Sequence, residues 1–361
     1  MKRLLVLFAF QLILLSLYSQ NINMNASSAI LPAEEKKGIP DKGDKNNNFY
    51  DNEETFALTP LEIEVSGEIV NPGKVDFSML QKRSVIVKET LLKDDGTNSF
   101  IGAYRYDGYS LFDILNDRIL KKKNGEEFRP IIDVYVEIEN KKGEKVVLTW
   151  GEIYYPNNLH NLIIATDVMR IVPSKTKDLW PIPKESRLVV ATDLITERNL
   201  SQPVKITVRS YPKSFVVNRD MNTMFSPDFK VFTEPQKTTS YSSIPARFQT
   251  ETLHTIFYGK GRGIHSTQPF SGIYIKELLK SSFAFDRKNL KTGLFAFVGI
   301  DGYRTVYSFS EIMNRNDQAE ILLVPSEDEK DGGKFRIFPS CDFFSDRAVK
   351  ALSEIHFMKI E

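Results

Sequence analysis

Two periods of hydrophobic and polar positions alternate along this chain. Leu111, Ile114, Leu115 and Ile119 fall at helical spacing behind Gly108-Tyr109-Ser110, and Ile275, Leu278 and Leu279 repeat that spacing behind Gly272. The pattern predicts a short helix with one apolar face in each place. Strand-like runs, Ile131 to Ile138 and Lys145 to Leu148, flank the turn Asn140-Lys141-Lys142-Gly143 and predict a hairpin; Asp301-Gly302 marks a second one. Each hairpin leads into a hydroxyl residue with Glu three positions on, Thr149 to Glu152 and Ser308 to Glu311. That is the pattern of a capping box, which gives both glutamates a structural role at a helix start.

The elements recur in one order. Arg187-Leu-Val-Val-Ala-Thr-Asp193 through Arg198 aligns with Arg336-Ile-Phe-Pro-Ser-Cys-Asp342 through Arg347, without a gap as far as Ile206 over Ile355. The hairpin blocks align Gly143 with Gly302 and Glu152 with Glu311, and the helix blocks align Gly108 with Gly272. Three blocks in the same order predict an internal repeat. Its third block reads as a strand, a loop braced by an Asp–Arg pair (Asp193 with Arg198, Asp342 with Arg347), and a last strand. Leu61 to Val75 alternates around Pro72-Gly73 and predicts an opening hairpin, with a short helix near Met79-Leu80. The matching opening in the second copy, between Tyr211 and Phe248, reads either as a divergent hairpin or as an elaborated linker. Strands outnumber helices, and the class expected is α+β, mostly antiparallel, in two tandem β-rich units with short helices.

At the N-terminus, Met1-Lys2-Arg3 precedes an apolar run from Leu4 to Leu17 and then polar Ser19-Gln20-Asn21. Residues 1–20 read as a signal peptide, because the run is too short to span a bilayer. The expected location is therefore periplasmic or extracellular, with no transmembrane segment after cleavage. Residues 21–57, rich in Asn, Lys, Asp and Glu, read as a disordered linker. Two units follow, 58–211 and 212–361.

Composition narrows the chemistry. The 361 residues are 41% hydrophobic, which supports packed cores; 48 Lys plus Arg stand against 47 Asp plus Glu, which removes the bulk case for a nucleic-acid binder. One Cys and four His exclude a zinc ribbon, an iron–sulfur cluster or a disulfide framework. No metal site and no catalytic residue is expected from these spacings.

Val65-Ser-Gly67 with Asn71-Pro72-Gly73, Gly108-Tyr-Ser-Leu111, the Gly-bearing hairpin and Arg-Leu-Val-Val resemble the sulfite-oxidase-type molybdopterin-binding domain. So do Gly299-Ile-Asp301-Gly302-Tyr303 and Asp346-Arg347-Ala-Val-Lys350 in the second copy. The resemblance runs from about Leu58 to Glu361. It implies that fold twice over, and a cysteine thiolate that ligates molybdenum in the segment before the first helix. Here the corresponding stretches, Val87 to Gly96 and Leu253 to Gly259, contain no cysteine, and Cys341 lies in the closing block opposite Thr192. A soft sulfur donor fixes such a metal, so its loss points away from redox catalysis.

In the cofactor-loop position stands Tyr258-Gly259-Lys260-Gly261-Arg262-Gly263-Ile264-His265. Lys260, Arg262 and His265, with Arg347 and Lys350, are the candidate ligands for an anion or a pterin phosphate. The expectation is an exported binding or structural protein on a degenerate molybdopterin-binding scaffold, without cofactor, whose partner is an envelope protein or a small anion. The alternative is a molybdopterin-dependent oxidoreductase with atypical ligation.

Overall fold

In the computed structural model of the chain the described residues are Tyr50, 53–221, 223–234, 237–326 and 333–361. The expected signal peptide and most of the expected linker lie outside them. The linker's last residues are ordered: Thr55–Ala57 is a strand, paired antiparallel with Leu162–Arg170. Among the described residues no helix is long and apolar enough to cross a membrane. Asn52–Ile171 and Leu179–Glu361 form one compact unit.

Its sheets are laid down twice. In the first, the strands run in the order Gly73–Lys74, Glu64–Gly67, Pro203–Ser210, Val134–Asn140, Lys145–Thr149. A second sheet has the order Lys237–Tyr241, Phe229–Glu234, Leu352–Lys359, Gly293–Gly299, Arg304–Ser308. Both contain one parallel pairing at the same place, Ile206 beside Val65 and Ile355 beside Val231, and are otherwise antiparallel. The hairpin at 229–241 thus stands where the hairpin at 64–74 stands. The other two large sheets also match. Lys82–Leu92, Asn98–Ser110, Leu162–Arg170 and Arg187–Val190 follow one another as do Glu251–Leu253, Phe270–Tyr274, Ile321–Pro325 and Phe335–Pro339. The hairpin turns are equivalent as well: Gly143 and Gly302 have φ of 79° and 77°, the left-handed region that glycine enters without strain.

The α+β class and the sulfite-oxidase-like architecture expected from sequence are corrected by these sheets. The described residues are mostly β, 43% strand and 12% helix, with small sheets in a propeller-like arrangement of four blades. The reason is helix length. Leu111–Asn116, Trp150–Tyr154, Ile275–Leu279, Arg287–Thr292 and Phe309–Met313 are each five or six residues. Little more than one turn cannot build a layer, so each adds its few apolar side chains to a core made mostly of strand residues. Ile119, grouped with the first helix by spacing, falls beyond its end at Asn116 and is exposed.

The cores run across the two halves of the sequence: Leu92 and Ile195 pack beside Phe295 and Phe309, while Tyr135, Val147 and Tyr211 pack with Leu294, Ala296 and Val306. An ionic contact joins them too: Asp133, fully buried, takes Lys122 Nζ at 2.6 Å and Arg304 Nε at 3.1 Å. Arg304 also reaches Glu127 at 2.7 Å, and its guanidinium lies 4.4 Å from the Phe128 ring centre.

Candidate functional site

Both capping boxes form. Thr149 Oγ1 accepts from the Glu152 amide and Glu152 Oε2 from the Thr149 amide, and Ser308 and Glu311 do the same. The second oxygen of each glutamate takes an arginine from a loop further along the chain, Glu152 from Arg198 at 2.7 Å and Glu311 from Arg347 at 2.6 Å. Each arginine also grips its loop's aspartate through Nε and Nη2. Arg198 meets Asp193 at 2.8 and 2.6 Å, and Arg347 meets Asp342 at 2.7 and 2.6 Å. The loop-bracing pairs read from sequence are therefore present, and they extend further than the loop.

The two sets cross. Thr149 Oγ1 donates to Glu311 Oε2 at 2.6 Å, and Arg198 Nη1 donates to Ser308 Oγ at 3.0 Å. Both arginines are 1% exposed. Arg347 lies between the rings of Tyr307 and Tyr155, 4.3 and 5.1 Å from their centres. Gly151 makes room for it: a Cβ there would stand 2.5 to 2.6 Å from the guanidinium.

Four carboxyl groups thus share two guanidinium groups away from water. Burial pushes Glu311 up to about 7, with Arg347 opposing and Glu152 adding; burial likewise pushes Asp193 up to about 6, against Arg198. Between its ordinary value of 4.5 and about 7, Glu311 holds a proton in the folded chain that the unfolded chain has released. Its contribution is therefore most favourable below 4.5 and is lost as pH rises through 7. Burial depresses His356, which works in the opposite sense below its ordinary 6.5, so the comparison must be with a variant. Glu311→Gln, which keeps the cap, is expected to gain stability relative to the parent as pH rises from 5 to 8. Urea midpoints at each pH measure this; a constant difference would contradict the raised value.

The centre consumes one of the candidate anion ligands. Arg347 points into it and is saturated by two acids, so it does not stand with Lys260 and Arg262. Lys350 is exposed. The remaining three lie on a hairpin, Phe257–Gly259 with Gly263–Ser266, in which Tyr258 faces Ile264 and Gly259 faces Gly263. Phe257 anchors it, 5.4 Å from Phe270 and 5.5 Å from Phe338, ring to ring. Lys260, Arg262 and His265 are exposed, the first two with no hydrogen bond or ion pair to a described residue.

The donor set for molybdenum does not fit. Cys341, the sole sulfhydryl, is buried, and its thiol is pushed up to about 12 by burial first and by Asp342 next. A neutral, enclosed thiol is not the thiolate that a soft metal needs. Of the stretches where the family's cysteine would fall, Val87 to Gly96 carries Glu89. That carboxylate is filled by Arg187 at 2.9 Å, Asn199 at 2.9 Å and Tyr106 Oη at 3.1 Å. Among the described residues no three His, Cys, Asp or Glu side chains cluster to hold a metal.

Sequence reasoning missed two cavities. One of about 620 Å³ includes Tyr135, Glu137, Lys145, Arg209, Tyr211 and Met358; another of about 280 Å³ includes Glu89, Tyr104, Pro181, Arg187 and Asn199. Their residues come from strands far apart in sequence, and no local motif announces them.

No protein-family profile matches the sequence, and no curated protein does. Among solved structures, the chain is distantly similar to the sulfane dehydrogenase SoxCD from Paracoccus pantotrophus. The match has 8% identity and a TM-score of 0.29, covering 83% of this chain and 78% of that one.

Proposed function

We propose that this is an exported, non-redox binding protein of two repeated units, 58–211 and 212–361, carried behind a signal peptide and a tether into the periplasm or beyond. Its binding surface is the glycine-rich hairpin of the second unit. The partner is anionic and is met by Lys260 and Arg262, with His265 beside them. One observation carries this reading: Arg187, Arg198, Arg304 and Arg347 are engaged by internal acids, whereas Lys260 and Arg262 are exposed and uncompensated. The buried, neutral Cys341 supports the absence of molybdenum chemistry. Metal analysis and pterin fluorescence of protein purified from its native host test that absence. The expected result is no stoichiometric molybdenum and no pterin, and one metal per chain with bound pterin would overturn the reading.

A further inference from the structure

The hairpin has a second property that a small anion does not need. Tyr258 and Ile264, a cross-strand pair on one face, are 39% and 67% exposed; Ile256 just before the hairpin is 66% exposed, and Phe343 is 51% exposed with its ring 6.1 Å from Tyr258. Large apolar side chains gathered in this way on a projecting turn mark a surface that something covers. At the tip, Lys260, Gly261 and Arg262 are all exposed, and nothing stands within 4 Å of where a Cβ would lie at Gly261 or Gly263. Neither cavity described above includes a residue of this hairpin. A free phosphate here would be held by two solvated, flexible side chains and by no wall, which is too little to immobilise it.

We infer that the hairpin docks on an anionic lipid bilayer. Ile256, Tyr258, Ile264 and Phe343 enter the interfacial region, while Lys260 and Arg262 lie against the headgroup phosphates. The match is one of charge and polarity together: uncompensated cations beside exposed aromatic and aliphatic groups fit a surface that is negative outside and apolar just beneath. Long basic side chains can keep their charge at the headgroups while neighbouring apolar groups sink past them. This inference rests on the reading of the hairpin as the binding surface and names its partner.

Co-sedimentation of the mature full-length protein with vesicles of phosphatidylcholine containing one-third phosphatidylglycerol tests it, with pure phosphatidylcholine vesicles in parallel. Binding to the anionic vesicles is expected, weakened by salt. Lys260→Gln with Arg262→Gln should lose about thirtyfold in partitioning, from roughly a fivefold loss per basic residue. Ile264→Ser with Phe343→Ser should lose at least tenfold on the same vesicles. All four positions are exposed, and unchanged melting temperatures show that the variants fold. No binding to anionic vesicles, or binding that neither pair weakens, overturns the inference. A thermal shift with inorganic phosphate that needs Lys260 and Arg262, without vesicle binding, also overturns it while leaving the anion reading intact. A protein ligand captured through the hairpin, with vesicles ignored, overturns the lipid assignment as well.

Discussion

Replacing Arg347 by alanine is expected to destabilise the protein by about 3–5 kcal/mol, the usual result of stripping one partner from a buried ion pair. The change leaves Glu311 and Asp342 facing each other in the interior without a cation, and it empties the space between Tyr155 and Tyr307. At this chain length the melting temperature should fall by on the order of ten degrees. Removing the charges together separates the two contributions. Arg347→Met combined with Glu311→Gln and Asp342→Asn removes this cation together with both of its acids and should recover much of the loss. Gly151→Ala should lower stability through the same group, because its methyl would displace a guanidinium clamped by two carboxylates. Urea denaturation of the four proteins is the measurement. A loss under about 1 kcal/mol for Arg347→Ala would mean that water reaches the centre and screens it.

Asp133→Ala is the second large effect. Asp133 is the only carboxylate among the described residues that contacts both Lys122 and Arg304, which lie far apart in sequence and have almost wholly buried side chains. Its removal leaves two cations in one enclosed space, with Glu127 still holding one of them. A loss of about 3–5 kcal/mol is expected, and Asp133→Asn should cost less because it retains an acceptor. The same denaturation experiment decides it, and equal losses for the two variants would show that shape matters there more than charge.

What the sequence makes legible is what short stretches of chain decide. The capping boxes at Thr149 and Ser308, the glycine turns at Gly143 and Gly302 and the loop pairs Asp193–Arg198 and Asp342–Arg347 each depend on residues within a few positions. What it hides is the way these pieces meet. That Arg347 turns inward to Glu311 and Thr149 depends on contacts with residues 36 and 198 positions away, and nothing adjacent to it in sequence announces that. Its place in the anion set came from family likeness and from a basic character that the interior consumes. The class differs from the expected α+β for a related reason: apolar residues at helical spacing cannot tell one turn from three, as Ile119 shows. The hairpin at 229–241 is only one of two readings of its stretch of sequence because it lacks the Pro-Gly turn that marks the one at 64–74.

The parallel pairing in each repeated sheet joins the strand that opens a repeat to the strand that ends it: Glu64–Gly67 with Pro203–Ser210, and Phe229–Glu234 with Leu352–Lys359. Such closure joins residues well over a hundred positions apart, and its loop entropy must be met before the pairing itself stabilises anything. A nascent chain emerging from the ribosome therefore carries an unfinished sheet edge until the last strand of each repeat is made. Folding of this protein should be slow and late, and truncation by one terminal strand should leave a species prone to aggregate through that open edge.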